Sequence, residues 1–241
     1  MGRSSLDRPT MSDEGRLSRS LVERLEARNG WGSSTNRTNI LRTLNSADAL
    51  SLAALFVAWS SALLFLAGES NWAVVVMFGA FVLDKLDGYW ARRRGISSKF
   101  GRQIDSFIDI FAYLVTGALL FHYELAPNRP VSAVVGFAIL AFGGLRLVRH
   151  NAEGFDSEDD VSYYHGTTVV HTNAVVVSNY LLASLVGFWG GWIAAATVLV
   201  ATPLMISEYR APKTAGAHVL LGAFSTGVVG ICLLIEYGYL G

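Results

Sequence analysis

The chain has 241 residues, of which 52% are hydrophobic and only 16% charged, and its mean hydropathy is +0.39. Lys+Arg and Asp+Glu balance at 19 each, so no basic surplus points to nucleic acid as a partner. The single cysteine, Cys232, lies in an apolar run, which excludes a disulfide framework and a cysteine-based metal site.

Residues 1–44 are polar, rich in Arg, Ser and Asn, and lack an apolar core of the signal-peptide type. They are expected to form a cytoplasmic N-terminal segment. Within it, residues 18–28 place Leu21, Val22 and Leu25 on one side of a short amphipathic helix suited to a membrane surface. Residues 45–241 read as one transmembrane domain, because apolar runs of roughly 18 to 23 residues recur, the length a helix needs to cross a bilayer. Spans are predicted over 46–67, 71–92, 102–123, 131–149, 168–186, 189–207 and 217–238, with a tight turn at residues 187–191 between the fifth and sixth. Trp72, Trp90, Trp189 and Trp192 fall near span ends, where aromatic rings anchor at the interface. The expected fold is an all-α integral membrane protein, a polytopic bundle of about six to seven transmembrane helices.

Orientation follows from Lys and Arg in the short connections. Arg92, Arg93, Arg94, Lys99 and Arg102 lie between spans two and three, Arg146 and Arg149 end span four, and Arg210 and Lys213 follow span six. The opposite ends offer little beyond Arg129. This bias places the N-terminus and the connection after span two in the cytoplasm. The acidic stretch at residues 151–167 falls on the same side, since acids weigh little in the rule.

That connection carries the chemistry. Asp84 and Asp87 are three apart, and Asp105 and Asp109 four apart, so each pair shares one helical face. Asp84, Asp87, Gly88 and Ala91 fall within roughly a 100° sector of one helix, and Gly101, Asp105 and Asp109 within roughly 80° of the next. Two carboxylates from each helix are expected to converge on a cytoplasm-facing site, with small residues leaving room beside them. Carboxylates in apolar helices are costly and need a partner. Four oxygen donors suit a hard divalent cation, Mg²⁺ or Mn²⁺, and two such ions shared with a substrate pyrophosphate. Pairing with Lys85, Arg92, Arg102 or solvent would account for any one of these acids. It does not account for four at these spacings beside small residues. The histidines lack the spacing of a zinc site; His171 is expected to be a hydrogen-bonded core residue and His165 to reach substrate.

The pattern D-x2-D-G-x2-A-R-x8-G-x3-D-x3-D is met by Asp84, Asp87, Gly88, Ala91, Arg92, Gly101, Asp105 and Asp109. It resembles the signature of the CDP-alcohol phosphatidyltransferases, membrane enzymes with a six-helix core. The resemblance implies transfer of a phosphatidyl or archaetidyl group from a CDP-activated lipid to an alcohol, with release of CMP, in phospholipid biosynthesis. By that likeness, Asp84, Asp87 and Asp105 hold the metal ions, and Asp109 is both metal ligand and catalytic base. Gly88, Ala91, Arg92 and Gly101 line the CDP-lipid site. A homodimer is implied as well.

Outside the signature, Arg146-Leu147-Val148-Arg149-His150-Asn151 is similar to a stretch of the CDP-diacylglycerol–serine O-phosphatidyltransferases of bacteria and archaea, with His150 where they usually carry an aromatic. Tyr163-Tyr164-His165-Gly166 partly matches their next loop, which continues into Leu-Pro where this chain has Thr167-Thr168. Met205, Ser207, Pro212 and Lys213 resemble a later cytoplasmic stretch, and Leu44-Asn45 their entry to the first span. These likenesses favour L-serine as acceptor, over inositol phosphate, glycerol phosphate or another alcohol. Arg146, Arg149 and Lys213 are the cations available for its carboxylate. A transporter would also place acids among seven spans, but here they cluster at one face and no second half repeats them. An inactive scaffold would not need the whole signature.

Overall fold

The computed structural model describes residues 44–96, 99–153, 156–158, 161–212 and 215–240. The amphipathic stretch expected at 18–28 and Lys213 lie outside the described residues. Seven helices follow one another among the described residues. They are α1 (Ser46–Leu66), α2 (Ser70–Arg94), α3 (99–125), α4 (Arg129–Glu153), α5 (Val169–Leu185), α6 (Gly191–Ala201) and α7 (Ala215–Glu236). Six of them agree with a predicted span to within four residues at each end, and α6 stops at Ala201, short of the predicted 207.

The N-terminus of α1 is fixed by its own sequence. Asn45 Oδ1 accepts from the Ala47 and Asp48 amides at 2.7 and 3.1 Å, and Asp48 Oδ2 accepts from the Asn45 amide at 2.8 Å. This reciprocal cap satisfies amide groups that the first turn leaves unpaired. Ala54, Ala58 and Ala62 then recur every four residues and are buried. Such a stripe lets α1 approach its antiparallel neighbour α2, which turns back after only three residues. α2 ends at Gly95, whose left-handed φ of +64° closes the helix after Arg92, Arg93 and Arg94.

α3 is a continuous rod that changes winding. Lys99–Asp109 and Thr116–Leu120 are α-helical, while Ile110–Val115 and Phe121–Leu125 are wound as π-helix. Each π segment shifts the phase of the helix face behind it. α4 packs tightly on α3 at Gly143, where an added Cβ would lie 2.4 Å from Leu114 Cδ2. α5 opens on Thr168, and the predicted turn at 187–191 holds with Gly190 and Gly191 at φ of +128° and +52°. α6 tightens into a 3₁₀ turn over Thr202–Ile206.

Strands depart from the all-α expectation. β1 (Asp156–Glu158), β2 (Val161–His165) and β3 (Arg210–Pro212) form an antiparallel sheet in the order β1-β2-β3, with Asp156 opposite Tyr163 and His165 opposite Arg210. It joins the acidic connection after α4 to the connection after α6. Short strands bounded by helices carry too little periodicity to be legible in sequence.

The core is built from Phe65, Met77, Tyr113, Phe121, Ile139 and Val176, all fully buried. The outer surface is also apolar: Phe56, Phe137, Val200, Val219 and Leu220 are each at least 70% exposed. Water would penalise such a surface; lipid does not. Ser46–Leu66, Phe100–Leu125, Arg129–Glu153 and Val219–Glu236 are long and apolar enough to cross a membrane, and the apolar helices Val169–Leu185 and Gly191–Ile206 are shorter. The chain is a multi-pass membrane protein.

Candidate active site

The carboxylates of Asp84, Asp87 and Asp105 each offer an oxygen within 4.8 Å of the others. Asp84 and Asp87 are buried, on the face of α2 turned toward α1 and α3, while Asp105 stands less buried on α3. Asp109, one turn beyond Asp105, is half-buried and lies outside that group of three. It sits in the field of Asp84 and Asp105 on one side and of Lys85 and Arg146 on the other.

Neighbours hold the first pair in place. Asp84 Oδ2 accepts from Tyr113 Oη and from Lys85 Nζ, both at 2.8 Å. Asp87 Oδ2 accepts from the hydroxyl of Ser51 on α1. The other oxygen, Asp87 Oδ1, is buried without a hydrogen-bond donor. An unsatisfied buried carboxylate oxygen costs free energy unless something positive meets it.

Charge arithmetic reaches the same point. At 4.8 Å, two carboxylates repel by roughly 3 kcal/mol at an effective dielectric of about 20, before solvent screening. Lys85 is the one cation in contact with the group among the described residues, and its side chain is 53% exposed. A single, largely solvated ammonium does not balance three converging carboxylates. Oxygen donors, their convergence and the unpaired Oδ1 together fit a hard divalent cation.

The other predicted residues surround this centre unequally. Gly88 and Ala91 lie along α2 beyond Asp87, and Arg92 folds back so that a Cβ on Gly88 would meet Arg92 Nη1 at 3.3 Å. Arg92 also lies within electrostatic reach of Asp105, and Gly101 occupies the first turns of α3. Arg146 is buried on α4 near Asp109. Arg146, Arg149, His150, Glu153 and His165 line a small cleft.

Arg149, expected among the cations for the acceptor, is engaged with backbone carbonyls. Its Nη1 donates to the Ile206 carbonyl at 3.0 Å, and Nη2 lies 2.8, 3.2 and 3.4 Å from the carbonyls of His165, Met205 and Ser207. The guanidinium thus clamps β2 to the 3₁₀ turn. His171, expected in the core, is exposed instead. It caps α5, with Nδ1 2.7 Å from Thr168 Oγ1. Its first-turn position next to a Thr cap explains both facts.

Lys85 pairs with Asp84 as the sequence allowed, but two residues at the centre were not anticipated from sequence: Ser51 and Tyr113. Tyr113 follows Asp105 and Asp109 at intervals of four, so a signal was available. Ser51 had none, because its partner lies 36 residues away on another helix.

Residues 44–207 match the family model described as CDP-alcohol phosphatidyltransferase. With a helical membrane fold and converging aspartates already in place, the chain belongs to the CDP-alcohol phosphatidyltransferase family. It is 30% identical over 171 residues to archaetidylserine synthase of Methanothermobacter thermautotrophicus, which covers 70% of each chain. It is 26% identical to CDP-diacylglycerol–serine O-phosphatidyltransferase of Helicobacter pylori, over 74% of each. The protein of that name from Mycobacterium tuberculosis is 32% identical over 50% of this chain and 42% of its own.

Proposed function

We propose that the protein transfers a phosphatidyl or archaetidyl group from a CDP-activated lipid to the hydroxyl of L-serine, releasing CMP. The convergence of Asp84, Asp87 and Asp105, with one buried oxygen of Asp87 left without a donor, carries the reaction class. The relatives named for serine, together with the Arg146–Asn151 stretch, support the acceptor.

Asp84, Asp87, Asp105 and Asp109 would hold Mg²⁺ or Mn²⁺, two ions by the likeness to the family. Such ions, when bound, neutralise diphosphate charge and make the acceptor hydroxyl more acidic. The protein's own groups do the rest. The serine oxygen attacks the phosphorus that carries the lipid, the bond from that phosphorus to the CMP oxygen breaks, and the hydroxyl proton passes to Asp109. Arg92, folded over Gly88, is assigned with Ala91 and Gly101 to the CDP moiety. Arg146 is assigned to the serine carboxylate, with Arg149 holding the loop beside it. Lys213 joins them on the strength of sequence alone.

The arginine-rich ends of α2 and α4 support a cytoplasmic site and N-terminus, with residues 1–44 as a separate polar segment and 45–241 as the membrane domain. Seven crossings in the cell membrane, surrounding lipid and a homodimer complete the proposal. The test uses purified protein with CDP-lipid, Mg²⁺ or Mn²⁺ and a panel of alcohols, with CMP release as readout. Serine should give the fastest release, and Asp109→Asn should lower it by about 100-fold or more. No release with any alcohol, or full activity in that variant, would overturn the mechanism; a faster alcohol would replace serine.

A further inference from the structure

Two hydroxyls from outside the aspartate signature touch its carboxylates. Ser51 sits on α1, 6% exposed, and its hydroxyl donates to Asp87 Oδ2. The Ala47 carbonyl, 3.2 Å away, is its only other acceptor among the described residues. Tyr113 sits on the first π segment of α3, 1% exposed, and donates to Asp84 Oδ2 at 2.8 Å. Its ring stacks on Phe81 of α2 with centroids 4.2 Å apart, and the Tyr113 carbonyl accepts from Asn173 Nδ2 on α5 at 2.8 Å. The phenol is thereby held against α2, and the backbone of Tyr113 is held from α5.

Each hydroxyl occupies one oxygen of its carboxylate, and for Asp87 the remaining oxygen is the buried, donor-free Oδ1. A hydrogen bond to one oxygen restricts rotation of a carboxylate, so its other oxygen favours one direction. We infer that Ser51 and Tyr113 are positioning residues that orient Asp87 and Asp84 for a divalent cation shared with Asp105. The inference rests on the metal-site reading above and extends it to residues of α1 and of the π segment. Neither hydroxyl touches substrate in this role; both act through the carboxylates. The π winding over Ile110–Val115 has a function in this arrangement, since it sets the phase at which Tyr113 meets Asp84.

Ser51→Ala and Tyr113→Phe each remove one oxygen and leave shape and packing nearly intact. The experiment titrates metal-free, detergent-purified protein with Mn²⁺ and follows free Mn²⁺ by electron paramagnetic resonance, with circular dichroism as the check on folding. Each variant should bind Mn²⁺ about 10- to 100-fold more weakly than the parent. In CMP-release assays the Mn²⁺ concentration for half-maximal rate should rise with it, while KM for CDP-lipid at saturating Mn²⁺ stays near the parental value. Ser51→Thr, which keeps the hydroxyl, should recover most of the affinity. Folded variants that bind Mn²⁺ within twofold of the parent overturn the positioning role and leave the metal site standing. Parent protein that binds no Mn²⁺, or an Asp87→Asn variant that binds it normally, overturns the metal-site reading itself and the inference with it. Should either single variant fail to fold, the other still decides the matter, because the two hydroxyls come from different helices.

Discussion

At the scale of single residues, packing decides which substitutions this protein tolerates. Gly166, between β2 and α5, has φ of +71°, and a Cβ there would lie 2.4 Å from the Met205 carbonyl oxygen. Its own amide donates to the Tyr209 carbonyl at 2.7 Å. Gly166→Ala therefore meets both a left-handed backbone and a fixed carbonyl, and should cost about 2 kcal/mol or more. A lowered thermal-inactivation midpoint in detergent is the expected result, and an unchanged midpoint would show that the 3₁₀ turn yields. In sequence, Gly166 stands out only as part of a likeness to a family loop. Its steric reason lies in Leu204 and Met205, some forty positions away and invisible to any local pattern. The aspartates were legible for the opposite reason. Their spacing alone places them on common faces, and the cost of burying charge is what singles them out in an apolar chain.

At the scale of elements, the end of α4 is tied to two later segments by one side chain. Arg149 spans the carbonyls of His165, Met205, Ile206 and Ser207, and no single point charge reproduces that fork. Arg149→Met should destabilise the protein by about 2 kcal/mol, since it strips charged donors from partly buried carbonyls. Arg149→Lys should recover only part of that loss. Thermal inactivation of the two variants checks the order, and equal stability of Lys and Arg forms would refute the clamp. Arg149→Met should also raise KM for serine by displacing the neighbouring cleft with Arg146, His150 and His165 along it. Helix positions were readable because apolar length reports directly on a bilayer-spanning rod. The sheet was not, because its strands are only three to five residues long and β3 pairs with β2 from some fifty residues away.

At the scale of the whole molecule, the proposed orientation can be read by chemistry that the chain is suited to. Cys232 is the only cysteine and is fully buried, so an impermeant maleimide reports on introduced thiols alone. Arg94→Cys, at the exposed end of α2, should label in inside-out vesicles, and Asn128→Cys, between α3 and α4, in right-side-out ones. The reverse pattern would turn the site to the other face of the membrane and overturn the cytoplasmic assignment. The apolar exterior and the polar pairs at the far end, such as Tyr180 Oη to Asn71 Oδ1 at 2.6 Å, suit a bundle that needs hydrogen bonds satisfied internally.

Two properties of this protein were determined by the sequence itself: where the apolar helices of the described residues fall, and the placing of four carboxylates on two helical faces. Both follow from local rules, one from the hydrophobic length that spans a bilayer and one from helical periodicity. Only the tertiary structure decided which oxygen of Asp87 is left unpaired, that Tyr113 completes Asp84, and that Arg149 serves a turn of backbone. Those outcomes depend on the registration of α1, α3 and α4 against their neighbours, which is set by packing over the whole bundle. No stretch of the chain, taken alone, contains it.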